Sequence, residues 1–423
     1  MTTPGATQLL DILDDRLHQN AGRKRSHVPR RTASNGHPPR PSEHMRLSKH
    51  RQAQPLLRRT WTLPLILMLA FASIYAINPT ESNIIHHFVI LSYKLEGDGG
   101  PSQYGKGPWD IAFVCFYTIF LSFTREFIMH ELLRPLACVC GIKSRAKQER
   151  FMEQMYTALY IAFMGPFGMY CMKQTPVWYF NTRGMYEYYP HKTHEAALKF
   201  YYLFQAAFWT QQAIVMLLGV EKRRKDFQEL VIHHIVTIAL IGLSYRFHFT
   251  YAGVAVYITH DISDFFLAIS KSLNYIESPL QGPSFGLCII MWTYLRHYIN
   301  LRILYSLFNE FSTVGPYELD WETEQYKCLY SNVITFVLLA ALQTLNLFWL
   351  YCLLRSAYRF VFQGIAKDDR SEDEAPEDDA VERERDHAAQ TLADKIGPLP
   401  SADDDAVYAP ATKRKNATRR RQS

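Results

Sequence analysis

Long apolar runs alternate with polar segments through the middle of the chain. Eight of these runs approach the roughly 17–25 mostly apolar residues that a helix needs to cross a lipid bilayer. The pattern therefore predicts an all-α, polytopic membrane protein, a helical bundle with about eight transmembrane helices. The predicted spans are residues 61–77, 109–129, 154–172, 200–219, 230–247, 250–270, 285–307 and 330–354.

The charged residues at both ends of the chain show where the bundle begins and ends. The mean hydropathy of −0.15 averages an apolar middle with two charged ends. We predict a basic cytosolic arm at 1–60, a first transmembrane helix and luminal loop at 61–107, a membrane domain at 109–364, and a cytosolic tail, acidic and then basic, at 365–423. Blocks of like charge bury too little apolar surface to fold, so both ends are predicted to be disordered. Beside a membrane core, the basic arm favours contact with anionic lipid headgroups over nucleic acid.

The distribution of lysine and arginine predicts the orientation of the bundle. These residues concentrate in alternate loops, most densely at 134–150 and 222–225. Short loops rich in positive charge stay on the cytosolic side of a membrane. Because the number of spans is even, both termini are then cytosolic.

Two histidines and two aspartates lie inside the apolar runs of the fifth and sixth spans. A tight turn near His248 joins these spans, and positions equally far from the turn lie at equal depth. His233, His234, Asp261 and Asp264 are therefore expected at one level, about 20 Å from the turn at 1.5 Å per residue. The two aspartates are three residues apart and share a helix face.

Ionisable groups at this depth favour a reaction site for a lipid-like substrate. A charged side chain inside a membrane costs about 3 kcal/mol or more and usually lines a polar cavity. An imidazole held by a carboxylate is fixed in one tautomer and can act as a base or attack an acyl group. The alternative is a set of hydrogen bonds between helices, which is the commoner role of a single intramembrane histidine.

A metal site is the other chemical alternative. The sequence has one adjacent histidine pair, and adjacent helical side chains diverge by about 100°, which makes it difficult for them to share one ion. The pair His191 and His194 has metal-ligand spacing but falls in a predicted luminal loop. We therefore predict no metal.

Further polar and aromatic residues could contact substrate. Two lie in the fourth span and could line a lipid slot, although packing between helices is the commoner role of such residues. Two lie on one face of the seventh span and could reach the polar cavity, or could equally make polar contacts between helices or at the cytosolic helix end. Others belong to the basic stretch before the fifth span and could attract phosphates, or could simply mark the cytosolic side. These candidates are Trp209, Gln212, Arg223, Arg224, Arg296 and Asn300.

Residues 221–275, from "EKRRKDFQELVIHH" through "YITHDISDFF" to "SKSLNY", resemble the signature of a known family. It is the ceramide synthase (sphingosine N-acyltransferase) family, in the fungal longevity-assurance branch of the TLC-domain superfamily. "GPFGMY" and "YLRHYINLRILYSL" resemble the same enzymes, so that the resemblance covers about 109–364.

The resemblance implies a multi-pass enzyme of the endoplasmic reticulum membrane. It would transfer a long-chain acyl group from fatty acyl-CoA, its co-substrate, to the amine of a sphingoid base, forming (dihydro/phyto)ceramide without a further cofactor. The family's catalytic set falls on His233, His234, Asp261 and Asp264. It also implies a dimer with a small accessory subunit and no binding of nucleic acid. The alternative is a non-enzymatic TLC-domain lipid-binding or lipid-transport protein, which would be expected to lack this complete set.

Two further expectations concern loops and tails. Ser371 precedes "EDE" and Ser401 precedes "ADD", so both suit an acid-directed kinase, the alternative being an unmodified acidic tail. The predicted luminal loop 309–327 is expected either to limit the acyl chain's length or to serve as a lid or docking surface.

Overall fold

The computed structural model describes residues 60–96, 101–221 and 224–363, and most of these are helical. The helices are α1 (Thr62–Ile77), α2 (His86–Val89), α3 (Trp109–Phe127), α4 (Arg134–Val139), α5 (Arg145–Lys173), α6 (Ala196–Leu217), α7 (Phe227–Arg246), α8 (Thr250–Tyr275), α9 (Gln281–Trp292), α10 (Asn300–Asn309) and α11 (Leu329–Gln363). π-Helical segments Ile128–Leu133 and Thr293–Ile299 join α3 to α4 and α9 to α10, and 3₁₀ turns lie at Trp178–Phe180 and Arg183–Met185.

The predicted helices are confirmed, since each of the eight apolar segments coincides with a helix of the structure. By length and composition, four helices within the described ranges could cross a membrane: Trp109–Val139, Phe227–Arg246, Thr250–Tyr275 and Leu329–Gln363, while Thr62–Ile77 is apolar but shorter. Among the other predicted spans, 200–219 and 285–307 carry buried polar side chains such as Gln205, Arg296 and Asn300, which lower the hydropathy of these two segments. The count of eight crossings therefore stays a prediction. The predicted tails, with Ser371 and Ser401, lie outside the described residues.

Consecutive long helices run in opposite directions, so that their ends alternate between two sides of the bundle. The α7–α8 connection marks one side, which we call the turn side. There Lys106, just before α3, donates from Nζ to the carbonyl oxygen of Tyr245 at 3.2 Å. On the opposite side, Trp61 at the start of α1 packs edge-on against Phe127 at the end of α3, with ring centroids 5.7 Å apart.

A small antiparallel sheet on the turn side was not predicted. Its order is β1 (Lys94–Leu95), β2 (Gln103–Tyr104), β3 (His194–Glu195). Strands of two residues give no recognisable alternation in the sequence. Next to the sheet, Lys199 forms a buried ion pair with Asp110 at 2.7 Å, which ties the start of α6 to the start of α3.

The core of the bundle is unusually aromatic and centres on α8, which packs against α5, α7 and α9. Tyr160 and Phe208 stack with ring centroids 3.7 Å apart, and Tyr202 meets Tyr257 edge-on at 5.2 Å. Large flat rings fill the space between helices, and offset or edge-on pairs add to their burial. These layers fix the relative positions of α5, α6 and α8.

The turn between α7 and α8 is tight, as predicted. His248 adopts the left-handed conformation with φ of +63°, and the N–H of Phe249 closes the turn on the carbonyl of Ser244 at 2.8 Å. Lys106 Nζ donates to His248 Nδ1 at 3.3 Å. Burial lowers the pKa of Lys106 to about 7 and that of His248 to about 4, so that both groups can be held here without two full charges.

We expect Gly184→Ala to lower the melting temperature of the purified protein in lipid nanodiscs. A Cβ at Gly184 would overlap the backbone carbonyl of Pro176, which cannot move aside like a side-chain tip. Such overpacking typically costs about 1–3 kcal/mol. The matched control is Gly242→Ala in α7, where the added methyl meets no other atom within 4 Å. An unchanged melting temperature for Gly184→Ala would contradict the packing described here.

Candidate active site

The hydrogen bond of His234 fixes the tautomer of its imidazole. His234 is half-buried on α7, and its Nδ1 lies 2.9 Å from the carbonyl oxygen of Leu230, one turn earlier. A carbonyl oxygen only accepts, so Nδ1 carries the proton and Nε2 carries the lone pair. His234 can therefore act as a base or a nucleophile through Nε2.

His233 is oriented by packing more than by hydrogen bonds. Its buried imidazole meets the indole of Trp349 edge-on at 5.2 Å and that of Trp209 at 5.9 Å. Thr237 Oγ1 lies 3.5 Å from Nε2, at the limit of a hydrogen bond. Within the described residues, Nδ1 has no hydrogen-bond partner. The direction of this ring thus depends on the two indoles beside it.

Asp261 faces α6. Its Oδ2 accepts a short hydrogen bond from Nε2 of Gln205, a fully buried amide. Tyr160 donates to the amide oxygen of Gln205 at 3.0 Å, and the amide nitrogen also lies 3.2 Å from the hydroxyl of Tyr201. Asp261 is therefore linked through one amide to a layer of buried tyrosines.

Asp264 faces the π-helical segment, where it pairs with Arg296 at 2.6 Å. The guanidinium also donates through Nε to Ser263 at 2.6 Å and through Nη1 to Asn346 at 3.2 Å. Arg296 is only 2% exposed, so its charge depends on these partners. This one side chain connects α8, the π-helical segment and α11.

His260 and Gln205 are site residues that the sequence analysis missed. His260 Nδ1 lies 2.9 Å from the carbonyl of Val256, and Nε2 accepts from Asn346 at 3.3 Å. Because both ring nitrogens have partners, His260 is poorly suited to act as a base. In the sequence, the only signal for His260 is its position directly before Asp261. The signal for Gln205 is that it is a single amide in an apolar run, one turn before Trp209.

The structure gives the four predicted residues separate partners. In the described part of the chain, the imidazoles contact Leu230 and Thr237, so the expected hydrogen bond between a carboxylate and an imidazole is not formed. The expectation of equal depth fits better, since His233 and His260, beside Asp261, line one cavity. The catalytic assignment of the four residues stays a prediction.

A cavity of about 370 Å³ extends from His233 toward the turn side. Helices α7, α8 and α11 form its walls, and His233 and Phe247 mark its length, about 21 Å along α7 at 1.5 Å per residue. Its walls are mostly aliphatic and aromatic, including Leu240, Ile241, Val256, Leu338 and Leu342. At the far end it is bordered by Leu319, Trp321 and Tyr326, which belong to the loop predicted to limit chain length. An alkyl chain fits this shape and lining.

The remaining predicted substrate contacts lie in different surroundings. Trp209 borders the cavity, whereas Gln212 is half-buried outside its lining. Arg224 pairs with Asp226, and Asn300 donates to the amide oxygen of Gln343 at 2.7 Å. Arg296 is occupied by Asp264, and Arg223 lies outside the described residues. Their role in substrate binding stays a prediction.

No group of three histidine, cysteine, aspartate or glutamate side chains is placed to hold a metal in the ranges that the structure describes. His194, one of the loop histidines, instead pairs with the hydroxyl of Thr250 at 2.8 Å. The contact joins β3 to the start of α8. The absence of a metal stays a prediction.

Comparison with known proteins places the chain in a class and then in a family. The family model of the TLC domain matches residues 150–355, so the histidine pair, the two aspartates and the cavity belong to a TLC-domain membrane protein. A sphingosine N-acyltransferase-like protein of Gibberella moniliformis is 59% identical over 77% of this chain and 86% of its own length. A ceramide synthase of Saccharomyces cerevisiae is 48% identical over 76% and 78%, and a sphingosine N-acyltransferase of Schizosaccharomyces pombe 47% over 75% and 82%. The chain belongs to the ceramide synthase (sphingosine N-acyltransferase) family.

We expect Arg296→Met to destabilise the bundle, because it leaves the carboxylate of Asp264 without its guanidinium partner. Removing one member of a buried ion pair costs about 3–5 kcal/mol. The double variant Arg296→Met, Asp264→Asn should recover part of this loss, because it also removes the carboxylate charge that the guanidinium balanced. Thermal unfolding in nanodiscs measures both changes.

The matched control is Arg183→Met, which breaks an exposed pair with Glu187 and should change the melting temperature little. If the double variant is less stable than Arg296→Met alone, the two side chains do not form the energetic pair that the geometry indicates.

Proposed function

We propose that this protein is an acyl-CoA-dependent ceramide synthase. It transfers a long-chain fatty acyl group to the amine of a sphingoid base such as sphinganine or phytosphingosine. The observation that carries the proposal is His233 at the end of an elongated apolar cavity, with His234 directly beside it carrying a lone pair on Nε2. The names of the similar proteins support the same reaction. The complete histidine and aspartate set argues against a lipid-binding or transport protein without activity.

The proposed reaction needs one base at the thioester. A sphingoid amine is nucleophilic only after it loses a proton, which Nε2 of His234 can accept. The amine then attacks the thioester carbonyl, a C–N bond forms, the C–S bond breaks, and coenzyme A leaves as its thiol after taking up a proton. In the second route, Nε2 first attacks the carbonyl and releases coenzyme A, and the amine then displaces the imidazole. Both routes place the carbonyl next to His234 and the alkyl chain in the cavity.

The two aspartates act through the groups that hold them. Asp261 is bonded to Gln205, and Asp264 is paired with Arg296. Through these partners the two side chains hold α8 in place beside α7, the helix that carries the histidine pair. We therefore retain His233, His234, Asp261 and Asp264 as the proposed catalytic set, with the histidines closest to the reaction.

The proposed topology has eight crossings of the endoplasmic reticulum membrane, with both termini in the cytosol. Alternating helix ends support the count. The described basic segments, 134–150 and 224–225, lie on the side opposite the α7–α8 turn, as the positive-inside rule requires. The coenzyme A group would then approach from the cytosol, and the acyl chain would extend toward the lumen. A small accessory subunit, dimerisation and acyl-CoA as the sole co-substrate complete the proposal.

We expect His234→Ala to reduce ceramide formation by at least about 100-fold, because positioned general bases contribute roughly 10²–10⁴-fold. The assay supplies acyl-CoA and sphinganine to membranes that lack other ceramide synthases, with protein abundance measured in parallel. His130→Ala, at an exposed histidine in the π-helical segment after α3, is the control and should retain activity. Near-normal turnover by His234→Ala would exclude the proposed role. Absence of product from the unaltered protein would favour the lipid-binding alternative.

Epitope tags at both termini should be accessible from the cytosolic side of sealed microsomes. The reason is the even number of crossings together with the basic loops. Protease digestion with and without detergent distinguishes the two sides, and an inserted tag in the loop 309–327 provides the protected control. Protection of one terminus but not the other would contradict eight crossings.

A further inference from the structure

We propose that Asp226 is a positioning residue for His233 and that it acts through Trp349. The inference rests on the proposed acyl transfer at the histidine pair. Asp226 immediately precedes α7, Trp349 lies on α11, and His233 is two turns into α7. Their contacts form one continuous chain from the end of the bundle opposite the turn side to the imidazole.

The chain begins with a bidentate ion pair. Arg224 Nε donates to Asp226 Oδ1 at 3.0 Å, and Nη2 donates to Oδ2 at 3.1 Å. Two parallel hydrogen bonds fix both the position and the plane of the carboxylate. Asp226 is only 3% exposed, so this carboxylate is a buried group with a defined direction. The contact of Arg224 with phosphate stays a prediction; in the structure Nε and Nη2 are directed at Asp226.

The carboxylate in turn fixes an indole. Trp349 Nε1 donates to Oδ2 of Asp226 at 3.2 Å, and the indole is 4% exposed. An indole has one N–H donor, so this bond is the only hydrogen bond that can set its direction. The bond connects α11 to the residue before α7, two elements far apart in the sequence.

The indole then sets the direction of the imidazole. The centroids of Trp349 and His233 are 5.2 Å apart, with planes inclined at 77°. Among the residues that the structure describes, Nδ1 of His233 has no hydrogen-bond partner and Nε2 has only a 3.5 Å contact, so none of these residues holds the ring by a strong hydrogen bond. A ring held by edge-on packing can rotate when its neighbour moves. Asp226 therefore keeps His233 aligned toward the cavity by keeping Trp349 in place.

The test compares steady-state kinetics of Trp349→Phe with the unaltered protein. Phenylalanine retains a flat ring against His233 but removes the N–H that bonds to Asp226. We expect kcat to fall about tenfold, within the range that small misplacements of catalytic groups cause, while KM for acyl-CoA and for the sphingoid base stays within about twofold of the unaltered value. Asp226→Asn, which can accept only through one oxygen, should give a smaller loss of kcat.

The matched control is Trp292→Phe. Trp292 belongs to the same apolar cluster as Trp349 and is 2% exposed, but its Nε1 has no hydrogen-bond partner in the described residues. The same substitution therefore removes no hydrogen bond, and kcat should stay close to that of the unaltered protein. Melting temperatures of all variants separate a loss of folded protein from a loss of turnover.

Combining Trp349→Phe with Asp226→Asn should lower kcat no further than Trp349→Phe alone, because both changes break the same chain. Additive losses, equal effects of Trp349→Phe and Trp292→Phe, or a raised KM with unchanged kcat would each overturn the inference. If Trp349→Phe has a lowered melting temperature, Asp226→Asn alone tests the inference. A fall in its kcat with unchanged KM supports the inference, and a raised KM with unchanged kcat overturns it. These outcomes are distinct from failure of the proposed function, in which the unaltered protein itself forms no ceramide.

Discussion

A buried guanidinium must be surrounded by partners, and the arrangement around Arg296 follows from that requirement. Its donors reach Asp264, Ser263 and Asn346, and Nη2 also lies 3.3 Å from the carbonyl of His260. Inside a bilayer no water can replace a missing partner. Satisfying this one charge therefore holds the middle of α8, the π-helical segment and α11 at fixed separations. The cavity lies between two of these elements, so its width depends on the same contacts.

Polar and apolar groups are separated along the bundle in a way that suits acyl transfer. Carboxylates, amides and imidazoles are concentrated at the level of His233, and the space toward the turn side is bordered mostly by carbon. A thioester has the same division, with a reactive carbonyl at one end of a long alkyl chain. Burial of each methylene contributes about 0.8 kcal/mol. Burial of the alkyl chain in the cavity would therefore place the thioester carbonyl at the level of His233. Chemistry and binding are thus supplied by different parts of one site.

The sequence predicted the parts of this structure that depend on periodicity and length. All eight apolar segments are helical, and the turn at His248 brings the fifth and sixth predicted spans together. The partners within the site were not predictable in this way. Gln205, Asn346 and Trp349 are single polar or aromatic positions in apolar runs, and only packing shows which of them face an imidazole or a carboxylate. Arg224 illustrates the same limit, because a charge pattern does not show its ion pair with Asp226, two residues away. The small sheet was missed because its strands have two residues each.

The central claim is that the acyl chain occupies the cavity with its carbonyl at the histidine pair and its tip near the turn side. Photo-crosslinking with a fatty acyl-CoA that carries a diazirine at the end of its chain tests this directly. Mass spectrometry of the labelled protein should locate the crosslink near Leu319, Trp321 or Tyr326, and a diazirine close to the thioester should shift it toward Trp209 and His233. Crosslinks from the chain tip at Trp209 or His233, or only on the outer surfaces of the helices, would contradict it.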